Sequence, residues 1–414
     1  MSLKYDKETI ELPSNWKQLA PLLICAGLIC LVVGAGLSFM GGRSEGGASP
    51  MKYLVHSYLA NFMFLFTFSL GALFFVLIQF LTRAGWSSSI RRIAEIIMAI
   101  LPWSAVLFLP LVVLLYTPEG SALYEWNSPA EEIHNSIIRD KTGYLEKGFF
   151  TVRTFLYFGL LTGMALWYFS KSRQQDETGD VELSLARQKW AGPLIMVFSL
   201  TVTFAIFDWV MSIDADWYST IFGVYVFSAS MMAFFAMMVV INMTLQNAGK
   251  LKNLVTVEHY HDMGKFMFGF VMFWSYIAFS QLVLIWYANI PEETNWFRFR
   301  LEGGWGYYSY SLIFLHFAIP FLGLMSRHIR RNRTALFFWA CWLIAVHWMD
   351  MTFLIMPNVP GGFPVIPMLG HLLGGAGMLC VFAALFIVRS SGVPLVAMRD
   401  PRLPEALTYT NPLL

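Results

Sequence analysis

The sequence predicts an all-α polytopic membrane protein with about ten transmembrane helices, on three observations. Hydrophobic residues make up 57% of the 414 residues and charged residues only 13%, where soluble chains carry roughly 25%. Apolar runs as long as a bilayer requires, about 20 residues, recur ten times. Lysine and arginine concentrate in alternate loops.

The apolar runs cover residues 19–40, 53–82, 93–116, 149–171, 190–211, 218–246, 263–290, 306–326, 334–356 and 365–389. The second, sixth and seventh exceed the minimum and are expected to tilt or project past the lipid. The first follows a polar segment holding Lys4, Asp6, Lys7, Glu8 and Glu11. A signal peptide would show a basic start and a small-residue cleavage site, so a retained helix is expected. With the N-terminus placed in the cytoplasm, 20 of the 28 Lys and Arg residues fall on that side. Among them are Lys17, Arg83, Arg91, Arg92, Arg187 and Arg389. The other eight, Arg43, Lys52, Arg139, Lys141, Lys147, Arg153, Arg298 and Arg300, fall opposite. This bias predicts both termini in the cytoplasm and an even number of spans. The chain, 1–414, reads as one integral membrane domain with short polar tails and no evident internal repeat.

Three outer segments interrupt the apolar pattern. Segment 117–148 carries Glu119, Glu125, Glu131, Glu132, Asp140 and Glu146. Segment 290–304 carries Glu292, Glu293 and Trp296, and segment 357–367 is rich in Pro and Gly. Either a partner or solvent could face them.

Several functions are excluded. The net charge is +2 and no basic stripe or Gly-rich phosphate loop occurs, which argues against nucleic acid. Cys25, Cys30, Cys341 and Cys380 lie in apolar runs without metal-binding spacing and are expected to be small buried hydrophobes. Only His316, His347 and His371 fall deep in spans, and they do not form the facing pairs a b-type haem needs. No redox metal is expected on this chain.

The informative residues are ionisable groups at membrane depth, which are costly and are usually paired or functional. An outer set comprises Asp208 in the fifth run, His347 and Asp350 one turn apart in the ninth, His371 in the tenth, Gln281 in the seventh, and His56 at the entrance of the second. An inner set comprises Glu95, His259, His261, Asp262 and Lys265, with His316 between the two. Such Asp, Glu and His series suit a proton relay, because each step needs a group that gains and loses a proton. Structural pairing between helices, or solvated interfacial charge for the inner set, is the alternative. Trp86, Trp103, Trp286 and Tyr287 read as interfacial belt residues.

Three stretches carry a family resemblance. The first is His56-Ser57-Tyr58-Leu59 with Leu70-Gly71-Ala72-Leu73-Phe74-Phe75 and Leu81-Thr82-Arg83-Ala84-Gly85-Trp86. The second is Phe207-Asp208-Trp209-Val210-Met211-Ser212 leading to Trp217-Tyr218-Ser219-Thr220-Ile221-Phe222-Gly223-Val224-Tyr225. The third, the most specific, is His261-Asp262-Met263-Gly264-Lys265, then Phe273-Trp274-Ser275-Tyr276-Ile277-Ala278-Phe279-Ser280-Gln281, then Trp286-Tyr287-Ala288-Asn289-Ile290-Pro291-Glu292-Glu293-Thr294. Together they resemble the NrfD-like family of polysulfide-reductase membrane subunits, and within it the ActF branch found in alternative complex III.

The resemblance implies two four-helix bundles, helices 2–5 and 6–9, flanked by helices 1 and 10. It implies a subunit, not catalytic alone, of a bacterial quinol:cytochrome c or quinol:acceptor oxidoreductase in the cytoplasmic membrane. The expected partners are an ActC-like paralogue, an iron–sulfur subunit and multihaem cytochrome c subunits, with a terminal oxidase as a further candidate. Haem c and iron–sulfur clusters would sit on those partners. Menaquinone or ubiquinone is a candidate ligand, with His56 a weak candidate contact, and proton conduction is a candidate role. Two other readings stay open: a secondary transporter, with inverted repeats and broken helices for which Pro102, Pro110 and Pro320 could serve, and a pure scaffold.

Overall fold

In the computed structural model, residues 7–41, 49–129, 135–360, 363 and 365–411 are described. Lys4, Asp6, Arg43, Glu131 and Glu132 lie outside them. Among the described residues ten helices are long and apolar enough to cross a membrane, and the protein is a multi-pass helical membrane protein. They are α1 Ser14–Met40, α2 Pro50–Leu81, α3 Arg91–Leu114, α4 Lys147–Thr178, α5 Glu182–Ile213, α6 Phe222–Asn247, α7 Val257–Ala288, α8 Gly303–Met325, α9 Arg333–Asn358 and α10 Val365–Ser390.

Local chemistry sets several boundaries. Ser49 caps α2, its hydroxyl accepting the Lys52 N–H at 3.1 Å, with Pro50 in the first turn. Asn332 caps α9 through the Ala335 N–H at 3.0 Å. Gly179, at φ 71°, ends α4 in the left-handed region that glycine enters without strain. Two spans are interrupted just ahead of a proline. The regular α-helix of α3 breaks between Met98 and Leu101, ahead of Pro102. In α8 the chain widens into a π turn over Ile313–Ala318, because Pro320 has no N–H to offer the His316 carbonyl.

The helices pack as two rings. α2, α3, α4 and α5 close one four-helix bundle, and α6, α7, α8 and α9 close the second. The rings meet through α2 against α6 and α9, and through α5 against α6. α2 and α6 are accordingly the most enclosed spans, 83% and 78% buried over their most apolar stretch. α10 lies against α2, and α1 lies along α10.

The α1–α10 seam is antiparallel and built on glycine. A Cβ at Gly34 would stand 2.6 Å from the Gly370 carbonyl oxygen, and one at Gly377 2.8 Å from the Gly27 carbonyl oxygen. Backbones approach this closely only where small residues remove the side chain, the usual source of helix pairing in lipid.

Both chain ends lie on one face. The Leu251 N–H donates to the Thr9 carbonyl at 2.9 Å, the Leu395 N–H to the Ile10 carbonyl at 2.7 Å, and the short helix Leu403–Leu407 packs on the Trp86–Ser89 turn. This face is called the terminal face below.

Several expectations need correction. Segment 290–304 is not a loop: Pro291–Leu301 is a helix. Pro at its start, Glu292 and Glu293 in its first turn, and Arg298 and Arg300 in its last turn match what a helix dipole favours. The described residues of segment 117–148 hold four short helical pieces. Lys171, Arg173, Arg187 and Lys189 are helical, because α4 and α5 run on past the lipid-length runs. The cysteines are not buried: Cys25 and Cys341 are exposed, and Cys30 and Cys380 are half-buried. In lipid an apolar side chain gains nothing by facing inward, so an apolar run does not imply a buried residue. Trp103, Trp286 and Tyr287 are exposed as belt residues should be, whereas Trp86 stacks on Phe266 under the C-terminal segment.

The seam gives a test. Gly34→Leu should separate α1 from α10 and lower the melting temperature in detergent by several degrees. Gly36→Leu, where an added Cβ meets nothing within 4 Å, should leave it unchanged.

Candidate functional site

The buried ionisable groups divide by bundle, and most of them are tied. In the first bundle, Asp208 of α5 receives Nε of Arg153 at 2.7 Å, a second Arg153 nitrogen at 3.1 Å and the Tyr157 hydroxyl at 2.8 Å. The Arg153 guanidinium lies 3.8 Å from the Tyr144 ring centroid and 4.4 Å from that of Phe149. Asp208 is therefore neutralised, and its geometry is that of a structural pin. Arg153, which the loop-charge count assigned to a loop, sits inside α4 and is buried.

Glu95 stands at the other end of this bundle, and its environment is not interfacial. It accepts Nε of Arg92 at 2.9 Å and pairs with Arg187 at 3.5 Å, all three fully buried. Arg92 also pairs with Asp176 at 2.7 Å, and Arg91 pairs with Asp400. Three guanidiniums and three carboxylates thus balance. Between Asp208 and this network the interior is filled by Phe66, Phe108, Phe158 and Trp209, ring against ring.

Two further members of the expected series are structural. His371 of α10 is surrounded: Nδ1 meets the Ser57 hydroxyl at 2.8 Å and the Asn61 amide at 3.1 Å, Nε2 meets the Thr352 hydroxyl at 2.8 Å, and Trp348 stacks on the ring. It pins α10 to α2 and α9. On the terminal face, Asp262 accepts the Tyr409 hydroxyl at 2.5 Å and the Asn411 amide at 3.3 Å, and pairs with Lys265 at 2.5 Å. These contacts hold the C-terminal segment. His259 closes the capping box of α7 with Thr256, and His261 stands beside it, its Nδ1 without a partner.

The remaining groups meet inside the second bundle and are arranged differently. Asp350 of α9 is fully buried and accepts the Tyr225 hydroxyl at 2.5 Å and Nε1 of Trp274 at 3.1 Å. Among the described residues no lysine or arginine pairs with it. Trp274 lies face to face with His316, centroids 3.7 Å apart.

The histidine tautomers follow from their partners. His316 Nε2 points at the Met232 sulfur, 3.1 Å away. Sulfur there can only accept, so Nε2 carries the proton and Nδ1 is the bare nitrogen. His347 Nε2 meets the Thr67 hydroxyl at 2.7 Å, and that hydroxyl already donates to the Phe64 carbonyl. Nε2 therefore donates, and again Nδ1 is bare. Neither Nδ1 has a partner among the described residues.

A cavity of about 490 Å³ adjoins this cluster. Tyr225 and Trp274 form its inner wall, and Tyr276, Phe279 and Ile313 form an exposed apolar rim. Gln281 also lines it, with a buried Nε2 that has no acceptor among the described residues. His56 lies elsewhere. It lines a polar vestibule of about 230 Å³ with Lys52, Glu125, Asp214 and Asn358, on the face opposite the chain ends. From His316 and His347 toward Asp262, the bundle interior holds the buried apolar residues Val271, Met267, Leu343, Ala340 and Leu336.

Sequence reasoning missed Tyr225, Trp274, Arg153 and Arg300. The aromatic pair carries no signal alone, whereas Arg153 falls four residues into an apolar run and was visible as a charge in lipid. No group of three or more His, Cys, Asp or Glu among the described residues has the arrangement of a metal site. No family model matches the chain, and no curated protein matches it.

Arg153→Ala should strand Asp208 and destabilise the fold by about 3–5 kcal/mol, measured as loss of folded yield and melting temperature. Replacing both residues by apolar ones of similar size should recover most of that loss. A pH effect is expected at the vestibule. Burial, then the neighbouring Asp216, raises the Asp214 carboxyl from 3.8 to about 7. The folded state thus binds a proton that the unfolded chain releases, so stability should fall as pH rises from about 4 to about 7 and then level off. Asp214→Asn should flatten that dependence in thermal scans across this range.

Proposed function

We propose that this chain is a membrane subunit of a respiratory quinol:cytochrome c or quinol:acceptor oxidoreductase, of the alternative complex III type, and that its second bundle handles protons. The observation that carries this reading is Asp350. Among the described residues, the other buried carboxyls, Glu95, Asp208, Asp262 and Asp400, each have a cation in contact, whereas Asp350 has only two neutral donors, and two imidazoles with bare nitrogens stand in the same bundle. A carboxyl without a counter-ion in a low-dielectric interior changes charge readily by taking or losing a proton, which a salt-bridged one does not. An imidazole that donates through one nitrogen and is bare at the other can accept a proton at one end and release one at the other.

The adjoining cavity suits a lipid-soluble ring such as menaquinone or ubiquinone. It is apolar, its rim is exposed along the span, and Gln281 supplies a free donor suited to a carbonyl oxygen. A quinol bound there would supply the protons released on oxidation, and this chain's part is to accept them. Haem c and iron–sulfur clusters would belong to the partner subunits: an ActC-like paralogue, an iron–sulfur subunit, multihaem cytochromes and a terminal oxidase. The excess of positive charge around the terminal face supports a cytoplasmic position for it.

Interrupted helices favour this reading over a transporter. α3 is the second helix of its ring and α8 the third of its own, so the breaks do not occupy the corresponding positions that an inverted repeat requires.

Asp350→Asn keeps both hydrogen bonds sterically possible, so the protein should still assemble. Turnover of the assembled complex and its coupled proton release should fall, on the order of 100-fold if Asp350 acts as an acid–base group. Asp350→Glu should keep part of both. Wild-type turnover and proton release in Asp350→Asn would overturn the proposal.

A further inference from the structure

Proton handling at Asp350 leaves two groups on the opposite face unused, the buried Arg300 and the half-buried Asp214. Arg300, in the short helix Pro291–Leu301, is fully buried. Its guanidinium donates only to neutral acceptors: the carbonyls of Trp296 at 2.9 Å, Leu354 at 2.7 Å and Phe353 at 3.2 Å, and Oδ1 of Asn358 at 3.0 Å. It lies 3.5 Å over the Trp296 ring. Among the described residues no carboxylate forms an ion pair with it. A buried cation without a contacting counter-ion is costly, and residues of that kind mark function more often than stability.

The residues that hold this guanidinium line two different cavities. Asn358, one of its acceptors, lines the polar vestibule. Trp296 and Phe353, which flank it, line the membrane cavity whose inner wall includes Tyr225. Tyr225 in turn donates to Asp350, eight residues or about 12 Å of helix from Asn358. The vestibule wall carries two groups that can hold a proton. The His56 ring donates through Nδ1 to the Lys52 carbonyl at 2.7 Å, which leaves Nε2 bare and without a partner among the described residues. Asp214 is the second.

We propose that the vestibule is the port through which Asp350 exchanges protons with the aqueous phase on the face opposite the chain ends. Asp214 is the relay carboxyl on its wall, and Arg300 is the fixed cation between the two carboxyls. The proposal rests on the reading that Asp350 handles protons. The step moves one proton and no electrons. Asp350 gives up its proton through the Tyr225 hydroxyl, intervening water carries it toward the vestibule, and an Asp214 carboxylate or His56 Nε2 accepts it and releases it to the aqueous phase. A single buried cation favours one negative charge nearby over two, so loading one carboxyl promotes release from the other.

Asp214 is suited to the role by its surroundings. Asp216 and Glu125 face it with like charge, Arg300 and Lys141 oppose them, and Lys52 and His56 line the same vestibule. Burial together with these carboxylates places it where it both takes and gives protons near neutrality, while the same burial draws Arg300 down to about 9.

The test uses the intact assembly in sealed lipid vesicles, with the carboxyl infrared band of Asp350 assigned by its loss in Asp350→Asn. In the wild type that band should respond to a pH jump on the vestibule side. Asp214→Asn should slow the response by about tenfold or more, Asp214→Glu should restore it, and Asp140→Asn, at an exposed carboxylate that does not line the vestibule, should leave it close to wild type. An unchanged rate in Asp214→Asn, or a response only to jumps on the terminal-face side, would overturn the port. A band that answers to pH from neither side would instead overturn proton handling at Asp350, and the port with it.

Discussion

A carboxylate in hydrocarbon must find its counter-charge inside the protein or give up its own charge, and the polar architecture of this bundle pair follows from that constraint. Water cannot solvate a mid-span side chain, so each deep charge forces another residue into register on a neighbouring helix. Arg153 is in α4 because Asp208 is in α5. Arg92 and Arg187 hold Glu95 from two helices at once. These pairs fix depth and rotation where apolar packing alone would let helices slide, since lipid tails and leucine side chains are equally apolar.

Asp350 matters because it departs from this rule. Its two oxygens meet a phenol and an indole, both neutral. Bare imidazole nitrogens at His316 and His347 complete a region where charge is neither fixed nor neutralised. The π turn at His316 widens the helix at the same depth, a deviation common at functional sites. The first bundle, by contrast, is closed by aromatic packing between its two ion-pair sites. The two bundles therefore share an architecture and differ in their buried charges: Asp208 and Glu95 are held in ion pairs, whereas Asp350 meets only neutral donors.

Much of the fold was legible in the sequence. Ten apolar runs give ten spans, because hydrocarbon thickness imposes a length that composition alone reveals. The deep residues Asp208, His316, His347, Asp350 and His371 were legible for the same reason, a polar letter in an apolar run. Their roles were not. Asp208 and Asp350 look alike in sequence, and only partners 55 and 125 residues away separate a pinned carboxylate from a free one. The division into outer and inner sets followed depth, whereas the structure groups these residues by bundle. Arg91, Arg92 and Arg187 were counted as loop charges because they flank apolar runs, yet all three are buried in ion pairs, and the C-terminal segment reaches Arg91 through Asp400 and Arg92 through the Pro394 carbonyl. Arg300 was hidden by a segment that reads as a loop and forms a helix.

The central claim, that this is the metal-free membrane partner of a quinol-oxidising assembly, is tested most directly by what leaves the membrane with it. Gentle solubilisation of native membranes, capture through this chain and intact-mass analysis should recover iron–sulfur and multihaem cytochrome subunits in fixed stoichiometry. A lone or homomeric chain retaining its fold and free of redox partners would contradict the account and point to a carrier that works by itself.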